Sequence, residues 1–259
     1  MSRGSDGADS SRKITAVLPC FEEAGNLQRV VGALKAALDA VVDEWELLLV
    51  ASEAATDGTP QVADGLSRND ARIRVIRQRR EDPGYGRAVA LGIHEARYPW
   101  LLLTDADGQF NHDELPRLWS ATAHADAVVG YRQSRRDSSA RRVASALYST
   151  VVRRVAGARG VRDIDCAFKL IRRDLVGRAP LRSRTGVVNA EILGRVLDAG
   201  GRIEELPVQH LERTAGRARF EASMGPFGAL PAPREAASML REVATLAIAR
   251  HVRGLRFRR

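Results

Sequence analysis

Five short apolar runs recur along the first half of the chain: ITAVL (14–18), ELLLV (46–50), RIRVI (72–76), WLLLT (100–104) and AVVG (127–130). Between them lie LQRVVGALKAAL (27–38), PQVADGLSRN (60–69), GRAVALGIHEA (86–96) and ELPRLWSATA (114–123), whose apolar residues repeat at helical spacing. Runs that are apolar on consecutive residues predict strands buried on both faces. Strands alternating with helices predict an α/β fold, a mostly parallel sheet flanked by helices. Ligands of such sheets gather at the carboxyl ends of the strands, so the residues just past each run are those to read for chemistry. The 259 residues allow one large domain of this kind or two small ones, and no internal repeat is present.

The formal net charge is +9, carried mostly by arginine. That balance suits an anionic membrane face or a phosphorylated ligand. A nucleic-acid partner is not expected, because aromatic residues make up only 5% of the chain and no recognition motif is present. Cys20 and Cys166 are the only cysteines, which gives no disulfide framework and fits a reducing compartment. The N-terminus shows no apolar signal region, and no run of about 20 apolar residues occurs. The expectation is a cytoplasmic protein able to sit peripherally on the inner face of the cell membrane. MSRGSDGADSSR (1–12) reads as a disordered tail.

The most informative strand end is LLLTDADGQF (101–110). In an extended chain Asp105 and Asp107 point the same way, with Cα atoms about 6.6 Å apart. Two such carboxylates repel unless a cation sits near them, and oxygen-only ligands favour Mg²⁺ or Mn²⁺, the metals that partner diphosphates. Gln109 falls on the same side and can add an oxygen. The other reading of Asp107-Gly108 is a turn that merely ends the strand. An EF-hand loop fails, since its glycine and glutamate positions hold Phe110 and Pro116. A haloacid-dehalogenase-type phosphatase would place such a motif near the N-terminus and follow it with Gly-Thr, whereas here three βα units come first. A nucleotidyltransferase would show a glycine-rich loop after the first strand, and LPCFEEAGN (18–26) is not one.

Other strand ends add to this. VLPCFEEAGNL (17–27) follows the first strand and VASEAATDGT (50–59) the second, while RQRREDPGYGRAVALG (77–92) follows the third. Further along stand AVVGYRQSRR (127–136), RDIDCAFKLIRRDL (162–175) and the closing segment from Gly186 to Phe220. Taken in this order, from about Lys13 to about Arg219, the motifs resemble those of family-2 glycosyltransferases of the GT-A fold, in particular polyprenol-phosphate sugar synthases of the dolichol-phosphate mannose synthase type. The likeness rests on Leu-Pro-x-Phe-x-Glu, Asp-Gly-Thr, Gly-Tyr-Gly, Asp-Ala-Asp-x-Gln and Asp-x-Asp-Cys-x-Phe-Lys. The chain departs from the family at Ser52, Glu53, Ala54 and Ala55 in the second turn, and at Ala167 where the family has glycine.

The resemblance implies roles. Pro19, Phe21, Glu23 and Glu53 would contact the nucleotide base and ribose, and Gly84, Gly86 and Arg87 would lie near the ribose. Asp105 and Asp107, with Gln109, would hold Mg²⁺ or Mn²⁺ against the diphosphate of a GDP- or UDP-sugar. Arg132 would reach a phosphate, Asp165 would orient the acceptor or act as base, and Glu191 would face the sugar. Arg213 and Arg217 would clamp an acceptor phosphate. Asp57 has two readings, a ligand contact or a helix cap. The implied reaction is an inverting, metal-dependent transfer of a sugar to a polyprenyl phosphate; the alternative is a soluble hydroxyl acceptor such as a secondary metabolite. The expected layout is a GT-A domain over 13–219, then a linker and a basic amphipathic helix over 220–259. That helix either lies on a membrane or packs on the domain.

Overall fold

A computed structural model describes residues 12–132, 149–213 and 233–256. The expectations for the N-terminal tail, Arg217 and the 220–232 linker fall outside these residues. The chain runs β1 (Lys13–Cys20), α1 (Ala24–Val41), β2 (Glu44–Ser52), α2 (Thr59–Asn69), β3 (Ile73–Gln78), α3 (Tyr85–Glu95) and β4 (Trp100–Leu103). A 3₁₀ turn (His112–Glu114) leads into α4 (Leu115–Ala121) and β5 (Ala127–Arg132). A helical run over 149–156 precedes β6 (Lys169–Arg172). After a one-turn helix (Arg173–Val176) come α5 (Val188–Asp198), β7 (Ile203–Val208) and α6 (Pro233–Arg256).

The seven strands form one sheet in the order β3-β2-β1-β4-β6-β5-β7. The pairs β1·β2, β1·β4, β2·β3 and β5·β7 are parallel, and β6 runs antiparallel to both β4 and β5. The consecutive apolar residues of β1, β2 and β4 follow from this position: helices cover both faces, so Ile14 and Val17, one residue of each parity, are both fully buried. One core joins α1, α2 and α4 to one face, while the other joins α3, α5, the 149–156 run and Val243 of α6 to the opposite face.

All five expected strands and the four expected helices are present, with shifted ends. Helix α1 starts at Ala24 and α4 is only seven residues long. What periodicity does not reveal is β6. KLIR is four residues flanked by charge, too short for a pattern, and pairing on both sides makes it a central strand.

His112 closes the core under the site. Its Nε2 lies 3.2 Å from Thr104 Oγ1, and its ring meets Phe168 edge-on. Burial lowers its pKa to about 4, against about 6.5 in water. Below pH 6.5 the unfolded chain takes a proton that the folded chain refuses, so stability present above 6.5 is lost as pH falls towards 4. Denaturant melts between pH 7 and 4 should show this histidine contributing about 3 kcal/mol of that loss, and His112→Gln should flatten the slope. Equal slopes for the two proteins would remove the assignment.

Candidate active site

The loops after β1 and β2 are laced to each other. Glu22, with φ of 56°, accepts from the Thr56 hydroxyl at 2.9 Å. Asp57 accepts from Ala24 N at 2.9 Å and from Thr59 N and Oγ1 at 2.9 and 2.6 Å, while the Thr59 hydroxyl in turn accepts from Glu23 N at 2.8 Å. Asp57 therefore has the capping role, at the first residues of two helices at once. This lacing fixes Glu23 at the carboxyl end of β1, where its carboxylate takes Asn26 Nδ2 at 2.6 Å. Pro19 and Phe21 stand part-exposed beside it, and Glu53 is exposed at the end of β2, its backbone carbonyl taking Arg80 at 2.7 Å.

Strand β4 stops at Leu103, so Asp105 and Asp107 lie in a turn rather than in extended chain. Gly108 has φ of 75°, and Asp107 Oδ1 accepts from Gln109 N at 3.0 Å. The turn points Gln109 elsewhere: its side-chain amide donates to Leu211 O at 3.2 Å, and its own carbonyl accepts from Leu211 N. The alternation that put Gln109 beside the aspartates does not hold past residue 103. Asp107 Oδ2 meets Arg213 at 2.8 Å, and the other arm of that guanidinium meets Glu23 at 2.9 Å. Carboxylates from the ends of β1 and β4 are thus bridged by a residue following β7.

Burial, then the charge of Asp107, raises the pKa of Asp105, and Tyr85, Lys169 and Arg132 act against the rise. Two crowded carboxylates, one of them buried, suit a small hard cation that would relieve their repulsion. Among the described residues no group of three or more acidic, histidine or cysteine side chains is poised around one point. A divalent ion here would take its remaining ligands from diphosphate oxygens and water, the habit of Mg²⁺ and Mn²⁺. The donor set fits in that form.

Beside the acids lies a part-buried layer, of which the expected site includes only Asp165 and Arg132. Lys169, with no exposed surface, donates to Asn189 Oδ1 at 2.9 Å and to the Cys166 carbonyl. The Tyr85 hydroxyl lies against Asp105 on one side and Asn189 on the other. Burial lowers the Lys169 pKa, opposed by Cys166, Asp163, Asp165 and Asp105. Burial is also the main cause of the raised Asp165 pKa, with Ser149 donating to its carboxylate at 3.5 Å. The signal available in the sequence was a lone lysine inside the apolar stretch CAFKLI.

Two of the expected site residues have partners within the chain. The Arg132 fork is held bidentately by Asp163, at 2.7 and 2.9 Å, so a carboxylate 31 residues on occupies the donors expected to meet a phosphate. Glu191, expected to face the sugar, is engaged within the fold. It is buried on the α6 side of α5, accepting from Ser183 N and Oγ at 2.9 Å, from Arg182 N at 3.0 Å and from Arg195 at 2.8 Å. It anchors the backbone at Arg182 and Ser183.

That loop explains the glycines too. A Cβ on Gly86 would stand 2.5 Å from Ser183 O and 2.7 Å from Thr185 O, and Gly86 N donates to Arg184 O at 2.9 Å. Gly84 has φ of 123° and also abuts Arg184 O. These glycines admit a backbone neighbour, and Arg87 is paired with Asp82 at 2.9 Å. Gly86→Ala should cost roughly 1–3 kcal/mol through overpacking, read by thermal melting; an unchanged midpoint would mean that the loop yields freely.

The model of glycosyl transferase family 2 matches residues 15–178. The undecaprenyl-phosphate 4-deoxy-4-formamido-L-arabinose transferases of Salmonella paratyphi A and Salmonella dublin are each 27% identical over 213 residues. The alignment takes in 81% of this chain and 63% of theirs, so the chain spans less than two thirds of the length of these curated relatives. Glucosyl-3-phosphoglycerate synthase from Mycobacterium tuberculosis shares the fold. Solved with Mn²⁺, UDP and glucosyl-3-phosphoglycerate, it superposes at a TM-score of 0.65 with 20% identity, covering 92% of this chain and 80% of that one. With Mg²⁺ and UDP the score is 0.64 at 19% identity, over 90% and 80%.

Proposed function

We propose a function from one premise: this chain belongs to glycosyl transferase family 2. It transfers a sugar from a nucleoside-diphosphate donor to a polyprenyl phosphate. The observation that carries the reading is the pair Asp105 and Asp107 at the carboxyl end of β4, bridged by Arg213 to Glu23. β4 is also where the parallel half of the sheet meets antiparallel β6. Donor and metal follow from that site, supported by neighbours solved with Mn²⁺ or Mg²⁺ and UDP.

A divalent cation held by Asp105 and Asp107 would neutralise charge on the leaving nucleoside diphosphate. The chain supplies the rest. Glu23 and the laced β1 and β2 loops seat the nucleoside, Tyr85, itself bonded to Asn189, holds Asp105 in place, and Arg213 offers a guanidinium to the diphosphate. A phosphate acceptor is ionised near neutral pH and attacks the anomeric carbon in a single, inverting displacement with little need of a base. A hydroxyl acceptor would need one, and Asp165, with its raised pKa, is the candidate.

The lipid acceptor is supported by relatives named for undecaprenyl phosphate. Helix α6 exposes Leu240 and Ile248, at 64% and 65%, and the chain's arginines accumulate towards its end, features of a helix that contacts an anionic lipid face. Among the described residues no helix is long and apolar enough to cross a membrane. A soluble hydroxyl-bearing acceptor is the second reading, supported by the fold neighbour solved with glucosyl-3-phosphoglycerate. The test offers labelled UDP-, GDP- and dTDP-sugars with Mn²⁺ to polyprenyl phosphate and to soluble acceptors. Butanol-extractable, mild-acid-labile label supports the lipid reading, turnover only with a soluble acceptor replaces it, and turnover with neither overturns both.

A further inference from the structure

We infer that Arg213 is a resident counter-ion that sets the cation affinity of the site: its guanidinium joins Glu23 to Asp107 and must leave Asp107 before a divalent ion can be held there. This deepens the functional reading above and rests on Asp107 being a metal ligand.

The bridge is built by the fold. Past β7 the chain returns along the β4 turn. His210 pairs with Phe110, Leu211 N and O bond the backbone and side chain of Gln109, and Gln209 N donates to Glu114 at 3.0 Å. These contacts deliver Arg213 to a point between two carboxylates from segments 190 and 106 residues away. All three side chains are largely withdrawn from water, at 18% for Arg213, 10% for Glu23 and 12% for Asp107. A guanidinium fork suits this place, because it can serve two acceptors at once and stays charged.

The consequence concerns order of binding. A divalent ion and a guanidinium compete for the charge at Asp107 Oδ2, since like charges at contact repel. A cation arriving alone must break a shielded ion pair and leave Arg213 without that partner, so the free ion binds weakly. A diphosphate arriving with the cation gives the displaced guanidinium two new oxygens. Cation and nucleotide then favour each other's binding, and the coupling is reciprocal.

The test titrates Mn²⁺ into the full chain, following free Mn²⁺ by electron paramagnetic resonance, with and without UDP. Arg213→Ala is expected to bind Mn²⁺ alone about tenfold more tightly than the parent and to lose most of the enhancement that UDP brings. Arg213→Lys keeps the charge but lacks the fork, and is expected to lie between the two; circular dichroism establishes that both variants are folded. Unchanged or weaker Mn²⁺ binding by Arg213→Ala overturns the inference, whereas Arg213→Lys behaving like the parent supports the counter-ion role through charge alone. Asp107→Asn separates the two levels. If it abolishes Mn²⁺ binding while Arg213→Ala changes nothing, only the counter-ion role fails. If it binds Mn²⁺ as the parent does, the metal-site reading fails with it.

Discussion

Asp107→Asn is expected to lower sugar transfer at least about a hundredfold while leaving the protein folded. Asparagine keeps the shape of the residue and an oxygen to accept from Gln109 N, the bond that closes the β4 turn. It removes the charge that a cation and Arg213 compete for. Arg213 retains Glu23 at 2.9 Å, so no buried guanidinium is left without a partner. The stability change should stay within about 1 kcal/mol. Initial rates with labelled donor at saturating Mn²⁺, beside a thermal melt, measure both quantities. Undiminished turnover in a folded variant would remove the site.

Glu191→Ala should have the opposite signature, a loss of stability that precedes any question of rate. The carboxylate gathers Arg182 N, Ser183 N and Oγ, and the Arg195 guanidinium. Removing it leaves Arg195 charged and buried, and frees the loop that packs on Gly86. Breaking a buried pair by deleting one partner costs roughly 3–5 kcal/mol, which for a chain of this size is a fall of about 10 °C in Tm. Were Glu191 a catalytic base instead, the variant would melt with its parent and lose only turnover. A Tm within a degree of the parent's would return Glu191 to the list of reacting groups.

The two variants mark where reading residues in order succeeds and where it stops. Asp105 and Asp107 were legible because a strand end followed by two acids is a local pattern. Their geometry was not: the strand stops two residues before Asp105, and Gln109 turns towards Leu211. Tyr85 stood in the Gly-Tyr-Gly motif, yet its proximity to Asp105 and Asn189 depends on α3 and α5 meeting in the fold. Lys169 was visible as a charge in an apolar run, but only β6, inserted between β4 and β5, shows that it is buried beside the acids.

By itself the sequence determined the alternation of strands and helices, the sheet they imply, and the placement of the acidic turn at a carboxyl edge. These follow from side-chain periodicity and from how strands end, which operate over a few neighbouring residues. Only the tertiary structure decided which cation answers which acid: Arg132 turned to Asp163, and Arg213 to Glu23 and Asp107. Ion pairing acts through space over a few ångströms and gains strength as water is excluded. Arg213 and Glu23 are 190 residues apart in sequence, and no local pattern sets either their distance or their shielding.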